Sequence, residues 1–198
     1  MANVNAPSGL SPVEYLSGAP WNGQARRYYI PSANGSAFAI GDPVTLGGSA
    51  DANGVPSVVI GTPGSGLLGV IVGMGGLKYG GPGGDLDNLS ITVIPATKTK
   101  DYYVMVVDDP NVIFEVQEIG TGTPLAAADV GLNANLVAVA NNGYVSQWVV
   151  TNTTEATTDT LDVKLLGLVQ RSDNAFGAYA KWKVLINNHK FRIGVAGL

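Results

Sequence analysis

Apolar and polar residues alternate along many short segments of this chain, and turn-forming residues separate those segments. Alternation with a period of two residues is typical of a strand that buries one face and exposes the other. In segment 179–186, apolar residues fill every second position and two lysines fall between them. Together with flanking Gly, Pro, Asn and Asp, this pattern predicts about ten short strands. The predicted strands span residues 27–30, 43–46, 57–60, 68–72, 90–94, 102–107, 112–119, 136–140, 144–150, 161–169 and 179–186.

Helix signals are few and short. The stretch SPVE at residues 11–14 is a capping box with proline at the first helical position, but Gly18 and Pro20 follow closely. A second start at residues 123–124 is halted by Gly131. Each signal predicts only a brief helical corner. The sequence therefore predicts an all-β fold, a β-barrel or β-sandwich.

Two turns are marked by their residues. The sequence DDPN at residues 108–111 is typical of a chain reversal, because Asp and Asn bond to their own backbone and Pro presets φ. We expect it to be a hairpin turn whose acids are solvated. The pair Asn142 and Gly143 is the strongest short-range signal for a second hairpin.

The first thirty residues differ from the rest of the chain. Residues 1–30 contain several prolines and glycines together with an aromatic and basic cluster. We therefore expect an extended N-terminal arm over residues 1–30 and a single β-barrel or sandwich domain over residues 31–198. The cluster consists of Trp21, Arg26, Arg27, Tyr28 and Tyr29.

Composition narrows the possible partners. At 198 residues the chain can bury one sizeable core, and only 13 % of its residues are charged. The absence of cysteine excludes disulfides and thiolate metal sites and fits a reducing compartment. A net charge of −4 disfavours nucleic acid as a partner. The most apolar window, residues 66–77, is too short and too rich in glycine to span a bilayer, and the N-terminus lacks a secretory signal.

Charge is distributed unevenly along the sequence. Residues 101–150 hold six acids and no Lys or Arg, whereas residues 164–198 hold six bases and only one acid, Asp173. Complementary segments of this kind suit contacts between subunits. Alternatively, the two segments are neighbours in one sheet and neutralise each other.

Catalytic and cofactor motifs are incomplete. Gly64, Gly66 and Gly69 match GxGxxG with Asp85 downstream, but a β-branched run follows where a dinucleotide fold needs a helix. His189 falls in a predicted turn, and no GxSxG motif accompanies it. The DLDN stretch at residues 85–88 lacks the glycine and glutamate of a calcium loop. The sequence therefore predicts no cofactor and no metal.

Paired carboxylates could in principle act as a glycosidase pair. However, Glu115 and Glu118 are three residues apart in a predicted strand and fall on opposite faces, while Asp108 and Asp109 lie in a turn. We therefore predict no catalytic residues and no enzymatic activity.

Two phrases of the sequence resemble segments of the head decoration, or cement, proteins of tailed bacteriophages. The first is VVDDPNVIFEVQE, in which residues 109, 110, 114, 116 and 117 carry the likeness. The second is GLVQRSDNAFGAYAKWKVLINNHKF, in which residues 173, 174 and 176–179 carry it. The resemblance extends loosely over the chain and includes AIGDPVTL at residues 39–46.

The resemblance implies a non-enzymatic viral structural protein that cements a phage capsid by bridging neighbouring major capsid subunits. It also implies a homodimer or homotrimer at a symmetry axis of the outer capsid surface, assembled in the host cytoplasm and without nucleic-acid or membrane partners. The N-terminal arm would lie across the capsid subunits. Because the aromatic and basic cluster lies in this arm, we expect its residues to contact the capsid, namely Trp21, Arg26, Arg27, Tyr28 and Tyr29.

Two alternative functions are also compatible with the sequence. A tail or baseplate β-module would bind host glycans, with Trp21, Trp148 and the pair 102–103 as stacking platforms. A hydrolase on a β-scaffold would use Glu115 or Asp108.

Overall fold

The computed structural model describes residues 3–75 and 91–192, and these residues form a closed β-barrel joined to an antiparallel β-sheet. The predicted all-β fold is confirmed. The described ranges contain one short 3-10 helix, Ala127–Asp129, and no helix long and apolar enough to cross a bilayer. The strands are β1 (Ser11–Tyr15), β2 (Arg26–Ile30), β3 (Phe38–Ala39), β4 (Pro43–Ala50), β5 (Pro56–Ile60), β6 (Gly69–Met74), β7 (Val93–Ile94), β8 (Tyr102–Val107), β9 (Val112–Gln117), β10 (Asn133–Ala134), β11 (Leu136–Val137), β12 (Val149–Val150), β13 (Val163–Leu168) and β14 (Lys181–Ile186).

The barrel has the strand order β2-β5-β4-β6-β8. Strands β2 and β5 run parallel, and the other neighbours run antiparallel. Alternation in β2 turns Tyr28 and Ile30 into the barrel core, where they join Val44, Val58 and Val104. Closure leaves the barrel without a free edge at which other strands could pair.

The sheet has the order β1-β9-β14-β13-β10, and all its pairs are antiparallel. Trp182 in the central strand β14 is fully buried. Both sheet edges are covered by other parts of the chain. The Tyr15 amide donates to the Ala19 carbonyl at 2.8 Å beside β1, and Asn133 forms a bridge with Ala156 beside β10. This covering protects the sheet from edge-to-edge association.

The turn predicted at residues 108–111 is confirmed, but it is not a hairpin turn. Strand β8 pairs with β2 and β6 in the barrel, whereas β9 pairs with β1 and β14 in the sheet. The turn therefore connects the two parts of the fold. Val70 and Val107 of the barrel share a core cluster with Phe114 and Trp182 of the sheet, so the two parts pack on each other.

The prediction of a separate N-terminal arm is wrong for the described residues 3–30. Residues 11–14, which were predicted to start a helix, lie in β1 of the sheet, and β2 closes the barrel. Leu10, directly before β1, is buried. An isolated helix of one or two turns is unstable in water. Pairing with β9 supplies the same backbone with hydrogen bonds and buries apolar surface, so the boundary at residue 30 does not exist.

The structure also confirms the position of other predicted local features, though not their exact lengths. The second helical corner is the 3-10 helix at Ala127–Asp129. The Asn142 and Gly143 signal lies at the tip of a hairpin that pairs β11 with β12. Gly69 begins strand β6, so no helix follows the GxGxxG glycines. Asp85 and the stretch 85–88 lie outside the described residues.

Candidate interaction surface

The two aspartates of the turn between β8 and β9 have different environments. Asp108 is only 7 % exposed and accepts a hydrogen bond from the Tyr28 hydroxyl at 2.6 Å. The Arg26 guanidinium, itself 72 % exposed, lies 3.4 Å from the same carboxylate. Burial, followed by the bond to Asp108, raises the pKa of Tyr28 above its usual range. Asp109 is exposed and accepts from the Asn111 amide at 2.8 Å, so the expectation of solvated acids holds for Asp109 alone.

A groove opens beside this turn, where the barrel meets the first strand of the sheet. Its closed end is a cavity of about 200 Å³ lined by Tyr15, Arg26, Asp108 and Asp109, among others. A wider recess shares Tyr15 and Asp109 with that cavity and is bounded by Leu16, which is 56 % exposed. We call this continuous depression the Arg26 groove. It presents a tyrosine ring and a guanidinium, which are side chains enriched in protein interfaces, beside an exposed leucine.

The five predicted capsid-binding residues do not form one cluster. Only Arg26 lines the groove. Trp21 packs against the sheet core, and its indole nitrogen donates at 3.2 Å to the carbonyl of Gln24, which lines the groove. Tyr28 is buried in the barrel and cannot contact a partner directly.

Arg27 and Tyr29 lie on the outer face of the barrel, because alternation along β2 turns them away from Tyr28. The Arg27 guanidinium is 5.7 Å from the centre of the Tyr103 ring, and the Tyr29 ring is 5.7 Å from the same centre. The Tyr103 hydroxyl donates to Asp51 at 2.6 Å. Burial and this bond raise the pKa of Tyr103 to about 12, while the bond lowers the pKa of Asp51.

The same observations weaken the glycan-binding alternative. Tyr103 and Trp148 are only 2 % and 3 % exposed, so neither offers the broad exposed face on which a sugar ring stacks. Tyr102 is only partly buried, but the Lys100 ammonium lies 5.6 Å from the centre of its ring.

The carboxylates considered for hydrolysis are engaged in structural contacts. Glu115 lies on the outer face of the sheet, 3.1 Å from Arg171 and 3.5 Å from Lys181. Glu118 is buried on the opposite side, as the strand period predicts, and accepts from the Trp182 indole at 3.1 Å. Burial raises the pKa of Glu118, and its hydrogen bonds oppose that rise.

The acidic and basic segments of the chain meet within one sheet. Strand β9 pairs with β14, and Glu115 is shared by Arg171 and Lys181. Lys183 of β14 lies 2.7 Å from Glu14 of β1. These pairs support the second of the two alternatives, in which neighbouring segments neutralise each other.

His189 follows β14 and is fully buried, where its backbone forms a bridge with Leu67. Its Nδ1 accepts a hydrogen bond from the Phe191 amide at 3.0 Å. Burial, with a smaller contribution from Arg192, lowers the pKa of His189 to about 4. Across residues 3–75 and 91–192 there is no group of three His, Asp or Glu side chains placed to hold a metal ion.

Two buried aspartates stabilise the fold through hydrogen bonds that the sequence does not indicate. Asp162 accepts from the amides of Gly64 and Leu136, both at 2.8 Å, and so joins the loop at Gly64 and the start of β11 to the start of β13. Asp42 accepts from the Ala39 amide at 2.7 Å. Burial raises the pKa of both carboxyls. Their sequence context offers no signal beyond that of an ordinary turn, because their partners are set by the fold.

The chain matches no protein-family model, no curated protein and no solved structure.

Proposed function

We propose that this protein is a non-enzymatic structural protein of a tailed-bacteriophage virion, which cements the outer surface of the capsid by bridging neighbouring major capsid subunits. The observation that carries the non-enzymatic part is the state of the buried carboxylates. Asp42, Asp108, Glu118 and Asp162 all accept hydrogen bonds from donors of the fold itself. Buried polar groups need such partners, so the fold accounts for these four carboxylates without a catalytic role.

The capsid role is supported by where the two resembling phrases lie. The phrase at residues 109–117 forms the connecting turn and β9, and the phrase at 173–179 leads directly into β14. Strands β9 and β14 are paired along their length. The two phrases therefore belong to one structural unit, which favours a shared fold element over two unrelated local matches.

The Arg26 groove is the proposed site of contact with the capsid. Leu16 and Arg26 are exposed in this groove, and Asp108 orients the Arg26 side chain. One such contact is small compared with the area buried in stable protein interfaces. We therefore propose that a homodimer or homotrimer brings several grooves to adjacent capsid subunits, because linked sites gain avidity.

Capsids stripped of the protein and then decorated again with it provide the test. A protein that binds the assembled lattice and not the free capsid subunit stabilises the lattice by mass action. Decorated capsids should sediment with the protein and release their DNA at a higher temperature than stripped capsids. Equal release temperatures at full occupancy would contradict the cementing role, and failure to cosediment would contradict the capsid partner.

A further inference from the structure

A second cavity lies between the corner that joins β3 to β4 and the hairpin at residues 138–148. Its volume is about 290 Å³, and it shares no lining residue with the Arg26 groove. Most of its wall is apolar, including Ile60, Val139 and Trp148. Among the described residues that line it, the only ionisable side chain is that of Asp42. We call this cavity the Asp42 pocket.

The Asp42 carboxylate is held in place from within its own turn, because the Ala39 amide donates to Oδ2 at 2.7 Å. Burial raises the pKa of Asp42, and its interaction with the Ser146 side chain opposes that rise. Ser146 is itself fixed, because it is fully buried and its oxygen accepts from the Trp148 amide at 3.2 Å. The carboxylate is therefore preorganised at one edge of an apolar cavity.

The Asp42 carboxylate has no cationic partner among the described residues. Asp42 is 3 % exposed, and within residues 3–75 and 91–192 no Lys, Arg or His forms an ion pair with it. Burial raises its pKa, which reports the cost of holding the ionised form away from water. A cation that enters the pocket would recover that cost through a charge-assisted hydrogen bond.

The shape and bonding of the pocket favour an ammonium group on an aliphatic stem. Ile60, Val139 and Trp148 offer apolar contact along the stem of such a side chain. A guanidinium carries five N–H donors in a rigid fork, and most of them would lack an acceptor against this largely apolar wall. A compact ammonium has only three donors on a flexible stem, and one of them can bond to Asp42.

We propose that the Asp42 pocket binds a lysine side chain presented by a partner protein, an interaction separate from the capsid contact proposed at the Arg26 groove. The hairpin that forms one wall of the pocket carries exposed apolar side chains, and these favour a protein over a free amine as the partner. Val139 lines the pocket and is 41 % exposed, and Tyr144 near the hairpin tip is 73 % exposed. They would contact the residues on either side of the inserted lysine.

Titration of the full-length protein with short peptides tests this inference, followed by nuclear magnetic resonance at the Val139 methyls and the Trp148 indole. The lysine peptide acetyl-Ala-Lys-Ala-amide should shift both signals and bind at least about tenfold more tightly than the same peptide with norleucine. Equal affinities would overturn the role of the ammonium. Butylammonium should bind more weakly than the lysine peptide, and equal or tighter binding would overturn the assignment to a protein partner.

Two variants connect any binding to Asp42. Asp42→Asn keeps an acceptor for the Ala39 amide but removes the charge, so it should lower the affinity for the lysine peptide to that of the norleucine peptide. Asp159→Asn removes one charge from an exposed position outside the pocket and should bind like the wild type. Val139→Arg leaves the hydrogen bonds of Asp42 intact and places a cation at the mouth, which should abolish binding even if Asp42→Asn does not fold. Full lysine binding by either pocket variant would overturn the proposal.

Discussion

The indole nitrogen of Trp182 donates to the Glu118 carboxylate at 3.1 Å in the interior of the sheet. The same carboxylate accepts from the Leu125 amide at 2.8 Å and from the Asn152 side chain at 3.2 Å. Glu118 therefore joins the central strand β14 to the loop that follows β9 and to the loop that follows β12. A buried network of this kind stabilises a fold only while every member keeps its partner.

Glu118→Ala should destabilise the protein strongly. The substitution leaves the Trp182 indole and the Leu125 amide without an acceptor, while Asn152 keeps its bond to the Thr121 carbonyl. We expect a loss of about 3 kcal/mol or more in the free energy of unfolding. Glu115→Ala is the matched control, because its contacts with Arg171 and Lys181 are on the outer face of the sheet and should be worth less than about 1 kcal/mol. Urea unfolding of both variants measures the difference. Similar losses would contradict the structural role of Glu118.

His189 should make the protein less stable in acid. Its pKa is about 4 in the folded protein against 6.5 for an ordinary histidine. The unfolded chain therefore binds a proton first, so the stability due to neutral His189 is complete above pH 6.5 and is lost as the pH falls towards 4. Between pH 7 and pH 4 the loss should be about 3 kcal/mol.

The variant His189→Asn isolates this effect, because an amide oxygen can replace Nδ1 as acceptor for the Phe191 amide without titrating. Burial raises the pKa of Asp42, Glu118 and Asp162. These carboxyls therefore act in the opposite direction to His189, because they lower the stability as the pH rises above their pKa values in the unfolded chain. Wild type and variant both contain the three carboxyls, so this effect cancels when the two proteins are compared. An equal loss of stability between pH 7 and pH 4 in wild type and variant would show that His189 does not titrate as described.

The strands were predictable where the chain itself displays the pattern. The predicted strand 102–107 is β8, and the predicted strand 179–186 contains β14 with its lysines on the outer face. Period-two alternation is a local property of the sequence, and burial of one strand face depends on little else. The opposite placement of Glu115 and Glu118 followed from the same rule.

The N-terminal segment and the buried acids were not predictable for a common reason. Residues 11–15 become a strand because β9, about a hundred residues later, offers a partner, and this outweighs a weak local helix signal. Asp42 and Asp162 look like turn residues in sequence, but the fold buries them against residues distant in sequence, Ser146 for Asp42 and Gly64 and Leu136 for Asp162. Arg26 and Asp108 likewise form a groove only because β2 and β8 are neighbours in the barrel.

Leu10→Ala tests whether the N-terminal segment belongs to the body of the protein. Leu10 is buried in the core cluster of the sheet, so truncation should cost about 2–5 kcal/mol in the free energy of unfolding. Val4→Ala is the matched control, since Val4 is exposed and the same kind of truncation should cost less than about 0.5 kcal/mol. Both values come from urea titrations. A separate arm would give two small and equal effects.

A substitution in the Arg26 groove should weaken capsid binding without lowering the stability of the protein. Leu16→Asp places a charge on an exposed position at the rim, so thermal unfolding should change little while binding to stripped capsids falls by roughly tenfold or more. Val130→Asp makes the same change at another exposed apolar residue, next to the 3-10 helix and outside the groove, and should bind normally. Cosedimentation at several protein concentrations measures both affinities. If Leu16→Asp decorates capsids as the wild type does and Val130→Asp does not, the capsid contact lies on the face that carries the 3-10 helix and not at the Arg26 groove.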